Sequence, residues 1–193
     1  MDKKEIAKLK KDLLKNKSHD IYKNVQALFD LAYATNDKEL NLKVRKICAE
    51  KSQKFKKDRP EHAEKYRQLY KNTLLFAAPY DFDSFCRYIE WNREPSKRFY
   101  LPRRKQLKVV ADALQDLADD KLDLLAISMP PGVGKTTIAI FYLAWMGGRV
   151  PNSPMLGGSH SNSFLRGVYD EILRVVDKDG EYLWHDVFPN IAV

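Results

Sequence analysis

The stretch Met129-Pro130-Pro131-Gly132-Val133-Gly134-Lys135-Thr136-Thr137 constrains this chain more than any other. It lies between a short apolar run, LDLLAISM at 122–129, and an almost entirely apolar segment at 135–146. No glycine precedes Gly132, which fits a helix-rich beginning. A run of strand length, a glycine turn and a helix, in that order, predict a strand feeding a helix, with Gly147-Gly148 as the helix stop. A second strand is expected at SPMLGGS (153–159). A second helix is expected over 161–176, with Leu165, Val168, Tyr169, Ile172 and Val176 on one stripe. Strand–helix–strand–helix implies an α/β fold: an incomplete parallel sheet with covering helices.

The residues before this alternation read as helical. Ile21, Val25, Leu28, Leu31 and Ala32 recur at helical spacing after an N-cap at Ser18. A second stretch runs from about Asp37 to Lys54, with Leu40, Leu42, Val44, Ile47 and Cys48. Pro60 opens a third, in which Tyr66, Leu69, Tyr70 and Leu74 share a face. Prolines and aspartates then punctuate DFDSFCRYIEWN, read as one helix between loops, and Arg104 to Asp119 is predicted as an amphipathic helix. The boundary is placed near Ala77: a basic helical region over 1–77, and an α/β region over 78–193. Charge follows the same division. Residues 1–80 hold 20 Lys+Arg against 11 Asp+Glu, a net of +9, while the rest holds 14 against 15. That asymmetry points to a polyanionic partner for the N-terminal part.

The glycine loop has the chemistry of a triphosphate cradle. Gly132 and Gly134 allow backbone N–H groups to turn inward and phosphates to approach closely. Lys135, at the helix start, reaches β- and γ-phosphate oxygens, and the Thr136 hydroxyl is placed to ligate Mg²⁺. Pro131, Val133 and Thr137 complete the loop, and the helix N-terminus adds partial positive charge. One departure from G-x-x-x-x-G-K-[ST] is plain: the first glycine position is Met129.

With these residues on the page a family resemblance emerges. The run from Leu124 to Ile172, with its M-P-P-x-x-x-K-[ST] loop, aromatic helix ending in W-x-x-G, proline-containing loop and serine-rich turn, resembles the start of the ATPase domain of phage large terminase subunits. LWHDVFPNI resembles their (L/F)-F-P element. The resemblance covers about residues 78–193 and implies ATP and Mg²⁺ as ligands. It also implies a P-loop fold and a role in packaging double-stranded DNA into a viral capsid. The implied partners are DNA, a small terminase subunit and a portal protein, in a homo-oligomeric ring in the host bacterial cytoplasm. It implies an adenine-contacting glutamine as well. Gln106 stands in the right neighbourhood, with Phe99 or Tyr100 to stack on the base; a solvated helical glutamine beside packing aromatics is the equal alternative. Rival readings are a helicase-like translocase and a non-catalytic docking module.

Other features exclude chemistry rather than add it. The family's acidic pair does not occur before Val193, so no catalytic residue is assigned and little ATP turnover is expected. Asp170-Glu171 sits in an amphipathic helix rather than at a strand end. Arg149 and Arg166 read as solvated helix-end arginines before charge stabilisers, and KSQKFKKDR (51–59) as a solvated face at least as readily as a DNA contact. Cys48 and Cys86 are too few for a disulfide framework, and His19, His62, His160 and His185 are scattered. The longest apolar run, Ile138 to Met146, has nine residues, about half of the roughly 18 a membrane span needs.

Overall fold

The computed structural model describes residues 21–191. Ser18, His19 and the rest of the first twenty residues lie outside that range, as do Ala192 and Val193. The chain divides into two compact units, 1–76 and 77–193.

In the first unit α1 (Ile21–Ala34), α2 (Lys38–Phe55) and α3 (Pro60–Ala77) follow one another. Their apolar spacing becomes a core of Val25, Leu28, Leu31, Ala32, Leu40, Val44, Cys48, Tyr66 and Leu69. Asp37 starts α2 by accepting a hydrogen bond from the Leu40 N–H at 2.9 Å, satisfying one of the free amides of a helix start. Two buried polar side chains of α2 tie it to α3. Asn41 Nδ2 and Arg45 Nη2 both donate to the Thr73 carbonyl, at 3.0 and 2.8 Å. Leu42, by contrast, is half exposed.

The second unit contains α4 (Phe82–Ile89), a 3₁₀ turn (Pro95–Lys97), α5 (Tyr100–Ala118), α6 (Lys135–Arg149), α7 (Asn162–Val176) and α8 (Trp184–Val187). Its core joins Phe82, Phe85 and Ile89 of α4 to Leu107 and Ala111 of α5, Ile138, Phe141 and Trp145 of α6, and Trp184. The two buried indoles are each anchored. Trp145 Nε1 donates to the Ala78 carbonyl and Trp184 Nε1 to the Ala144 carbonyl, both at 2.8 Å. The amphipathic Arg104–Asp119 helix starts four residues earlier than its pattern predicts, at Tyr100. Pro102 falls in its first turn, where a missing N–H removes no helical bond.

The α/β expectation fails. The described residues contain helix and no strand, so the parallel sheet, and with it the P-loop NTPase fold, is absent. Residues 124–130 and 154–159 are irregular, and no backbone hydrogen bond joins them. A parallel strand is covered on both faces, yet Leu124 is 85% exposed and Leu156 fully so. The run LDLLAISM holds three Leu and a single β-branched residue, Ile127, and a short apolar run has no periodicity that separates strand from other buried segments. The expected helix stop fails as well: α6 passes through Gly147 and Gly148 to Arg149. A Cβ on Gly148 would lie 2.2 Å from Phe188 Cδ2, so this glycine admits a ring against the helix rather than ending it. No helix among the described residues is long and apolar enough to cross a membrane.

Candidate functional site

The loop before α6 takes the backbone form its glycines allow. Gly132 has φ +80° and Gly134 φ +99°, both left-handed. Gly134 is the N-cap of α6, and no side-chain oxygen caps that end. The contrast with neighbouring helices is informative, because Asp81 caps α4 and Ser161 caps α7 by accepting N–H bonds. The first amides of α6 therefore keep their donors, together with the partial positive charge of the helix end. Pro131, Gly132 and Thr136 are exposed, and Val133, Lys135 and Thr137 are half-buried. The Lys135 ammonium is folded back on its own loop, donating to the Met129 carbonyl and, at 3.2 Å, to the Pro130 carbonyl.

Gly134 is also a close-approach site. A Cβ there would stand 2.3 Å from Phe99 Cε2 and 2.6 Å from Phe99 Cζ. Phe99 is the N-cap residue of α5, so the N-termini of α5 and α6 meet through one ring and one glycine. The α5 end is satisfied by a buried carboxylate. Glu90, 1% exposed, accepts from the Phe99 and Tyr100 N–H groups at 2.7 and 2.8 Å and from Arg93 at 3.2 Å. A second buried carboxylate, Asp83, accepts from the Tyr100 hydroxyl at 2.8 Å and from Arg104 Nε and Nη2 at 2.7 and 2.9 Å. Burial, reinforced by Cys86 and Asp83, pushes the Tyr100 phenol well above its ordinary range. The Asp83 hydrogen bond, opposed by burial, raises Arg104 further.

These contacts correct one expectation and sort the others. Tyr100 is fully buried and cannot stack on a base. Phe99 lies against Gly134, with the Arg103 guanidinium 5.4 Å from its ring centroid. Gln106 is exposed on α5. Arg149 pairs with Asp119 at 2.8 Å and covers the Trp145 ring, while Asp170 is exposed and Glu171 pairs with Arg174. Among the described residues no group of His, Cys, Asp or Glu is placed to hold a metal ion. Thr136 is exposed in the first turn of α6. Sequence reasoning missed Glu90, Asp83 and the Phe99–Gly134 contact. Comparison of the chain with protein-family models, characterised proteins and solved structures finds no match.

Proposed function

We propose that the Pro131–Thr137 loop binds the phosphates of ATP with Mg²⁺, and that the chain is the ATP-binding part of a motor that packages double-stranded DNA into a viral capsid. The observation that carries the nucleotide half is the left-handed Gly134 opening an α6 whose first amides have no side-chain acceptor. Those amides and Lys135 face the same chemistry, a compact polyanion. On phosphate binding Lys135 exchanges the Met129 and Pro130 carbonyls for charged oxygens, which make stronger hydrogen bonds. Thr136 holds Mg²⁺ through its hydroxyl, and the metal supplies charge neutralisation at the phosphates. Nothing in this reading uses a sheet; it rests on the loop and its helix.

The packaging half is supported by the terminase resemblance of residues 78–193 and by the basic N-terminal part, whose +9 suits duplex DNA. A small terminase subunit, a portal protein, a ring of like chains and the host bacterial cytoplasm follow from that resemblance. Gln106, exposed on α5, is proposed as the adenine contact, and the nucleotide series tests it. Equilibrium dialysis of the chain against labelled MgATP, with ADP, GTP and pyrophosphate as competitors, is the experiment. Competition by pyrophosphate with a preference for ATP over GTP supports the reading. Absence of retained MgATP overturns it.

A further inference from the structure

The contact between Phe99 and Gly134 closes a circuit within the second unit. Phe99 meets Phe141 edge-on, with centroids 5.6 Å apart and planes at 86°. Phe141 meets Tyr182 in the same way at 5.7 Å and 82°. The Tyr182 hydroxyl accepts from Arg93 at 2.7 Å, and the Arg93 guanidinium also lies over the Tyr182 ring. Arg93 donates to Glu90, whose carboxylate in turn receives the Phe99 and Tyr100 amides. Phe99 is therefore fixed at its backbone by a buried charge and at its ring by a second aromatic. Its remaining ring edge presses on the one residue whose left-handed φ turns the loop into α6.

Gly134 has conformational freedom that a residue with a Cβ lacks, so something outside it must select φ +99°. A ring within van der Waals range of its α-carbon does this, because swinging the Gly134 α-carbon toward α5 meets Phe99 atoms that cannot retreat without breaking the circuit. We propose that Phe99 is a positioning residue for the phosphate loop: its ring, held by Phe141 on a backbone held by Glu90, keeps Gly134 left-handed and so sets the direction of the first α6 amides and of Lys135. This deepens the nucleotide reading and rests on it for the ligand, though not for the contact itself. The ring, on this view, is a support beneath the loop and not a platform for the base.

Two readouts on the full chain test it, in wild type, Phe99→Ala and Phe99→Leu. Phe99→Leu keeps a large apolar group at the position and guards against a variant that does not fold. The first readout, amide hydrogen exchange at the loop's junction with α6, where the Ile138 N–H donates to the Gly134 carbonyl at 3.0 Å, needs no nucleotide. Phe99→Ala is expected to speed it by about tenfold, with Phe99→Leu between, because the loop loses its fixed neighbour. The second is MgATP affinity, measured by calorimetry where circular dichroism shows each variant folded. A drop of about tenfold is expected for Phe99→Ala, the scale at which misplaced binding groups are felt. Unchanged loop exchange in a folded Phe99→Ala variant overturns the proposal, as does unchanged MgATP affinity. Faster loop exchange in Phe99→Ala with no MgATP binding by wild type overturns the phosphate reading, and leaves Phe99 as the residue that holds Gly134.

Discussion

Gly147 and Gly148 are neighbours in α6, yet their replacement by alanine is expected to act in opposite directions. In a helix interior alanine is favoured over glycine by about 1 kcal/mol, and in the last turn of α6, where both glycines lie, a smaller gain of the same sign applies to each. At Gly147 the added Cβ meets only the Met155 methyl at 3.6 Å, an ordinary contact with the end of a flexible side chain. Gly147→Ala is therefore expected to stabilise by about 0.5–1 kcal/mol. At Gly148 the Cβ would lie 2.2–2.5 Å from three atoms of the Phe188 ring. That ring is itself confined, 5.2 Å from the Trp184 centroid and 6.2 Å from that of Phe85. Overpacking of this kind costs about 1–3 kcal/mol, which offsets or exceeds the helical gain. The two variants should then differ by about 1–3 kcal/mol, or roughly 4–12 °C in Tm at about 4 °C per kcal/mol for a unit of this size. Urea unfolding followed by tryptophan fluorescence reads the difference directly, since Trp145 and Trp184 are buried in the same core. A Gly148→Ala variant as stable as Gly147→Ala would refute the claim that Phe188 is why this helix carries glycine.

Asp83→Ala leaves the Tyr100 hydroxyl and part of Arg104 without their acceptor, and is expected to cost about 2–3 kcal/mol in the same urea assay. Asp83→Asn, which keeps the shape and one acceptor, should cost less. Burial pushes the Cys48 thiol up to about 12, and burial next to Asp83 and Glu90 raises Cys86 well above its ordinary value. Ellman's reagent at pH 8 should therefore label neither thiol quickly in the folded chain and both after unfolding. Because the folded chain holds these protons more tightly than the unfolded one, stability should fall as pH rises from 9.0 toward about 12. Duplex DNA bound by the full chain, measured by fluorescence anisotropy, should weaken steeply with salt. It should weaken further when Lys54, Lys56 and Lys57 are reversed to glutamate, because fewer phosphate counterions are then released.

Helix positions were legible where the core is regular. Val25, Leu28, Leu31 and Ala32 occupy one face by spacing alone, and they are buried together. Asp37 and Ser161 cap their helices because short oxygen side chains reach the free amides. What the sequence hid was long-range. Whether LDLLAISM becomes a strand depends on partners that no local pattern names, and glycine reads as a stop until the ring that needs its missing Cβ is known. Glu90 and Asp83 look like solvated helical carboxylates in sequence, and their burial follows from amides and a phenol ten and seventeen residues further on. Within the candidate site the left-handed turn before α6 was legible in Gly132 and Gly134, because glycine takes positive φ without a Cβ clash. Of the two readings open for Phe99, stacking on a base or packing, its ring packs against Gly134.

The most direct test of the nucleotide reading is isothermal titration calorimetry of MgATP into the full chain and into Lys135→Ala. Lys135 bonds only two carbonyls of its own loop, so its truncation should leave the fold intact by circular dichroism. It removes a charged phosphate contact, which should weaken MgATP binding by about tenfold or more. Saturable binding by the wild type, lost or weakened in a folded Lys135→Ala variant, is the expected result. Equal affinity in the two proteins, or no binding by either, contradicts it.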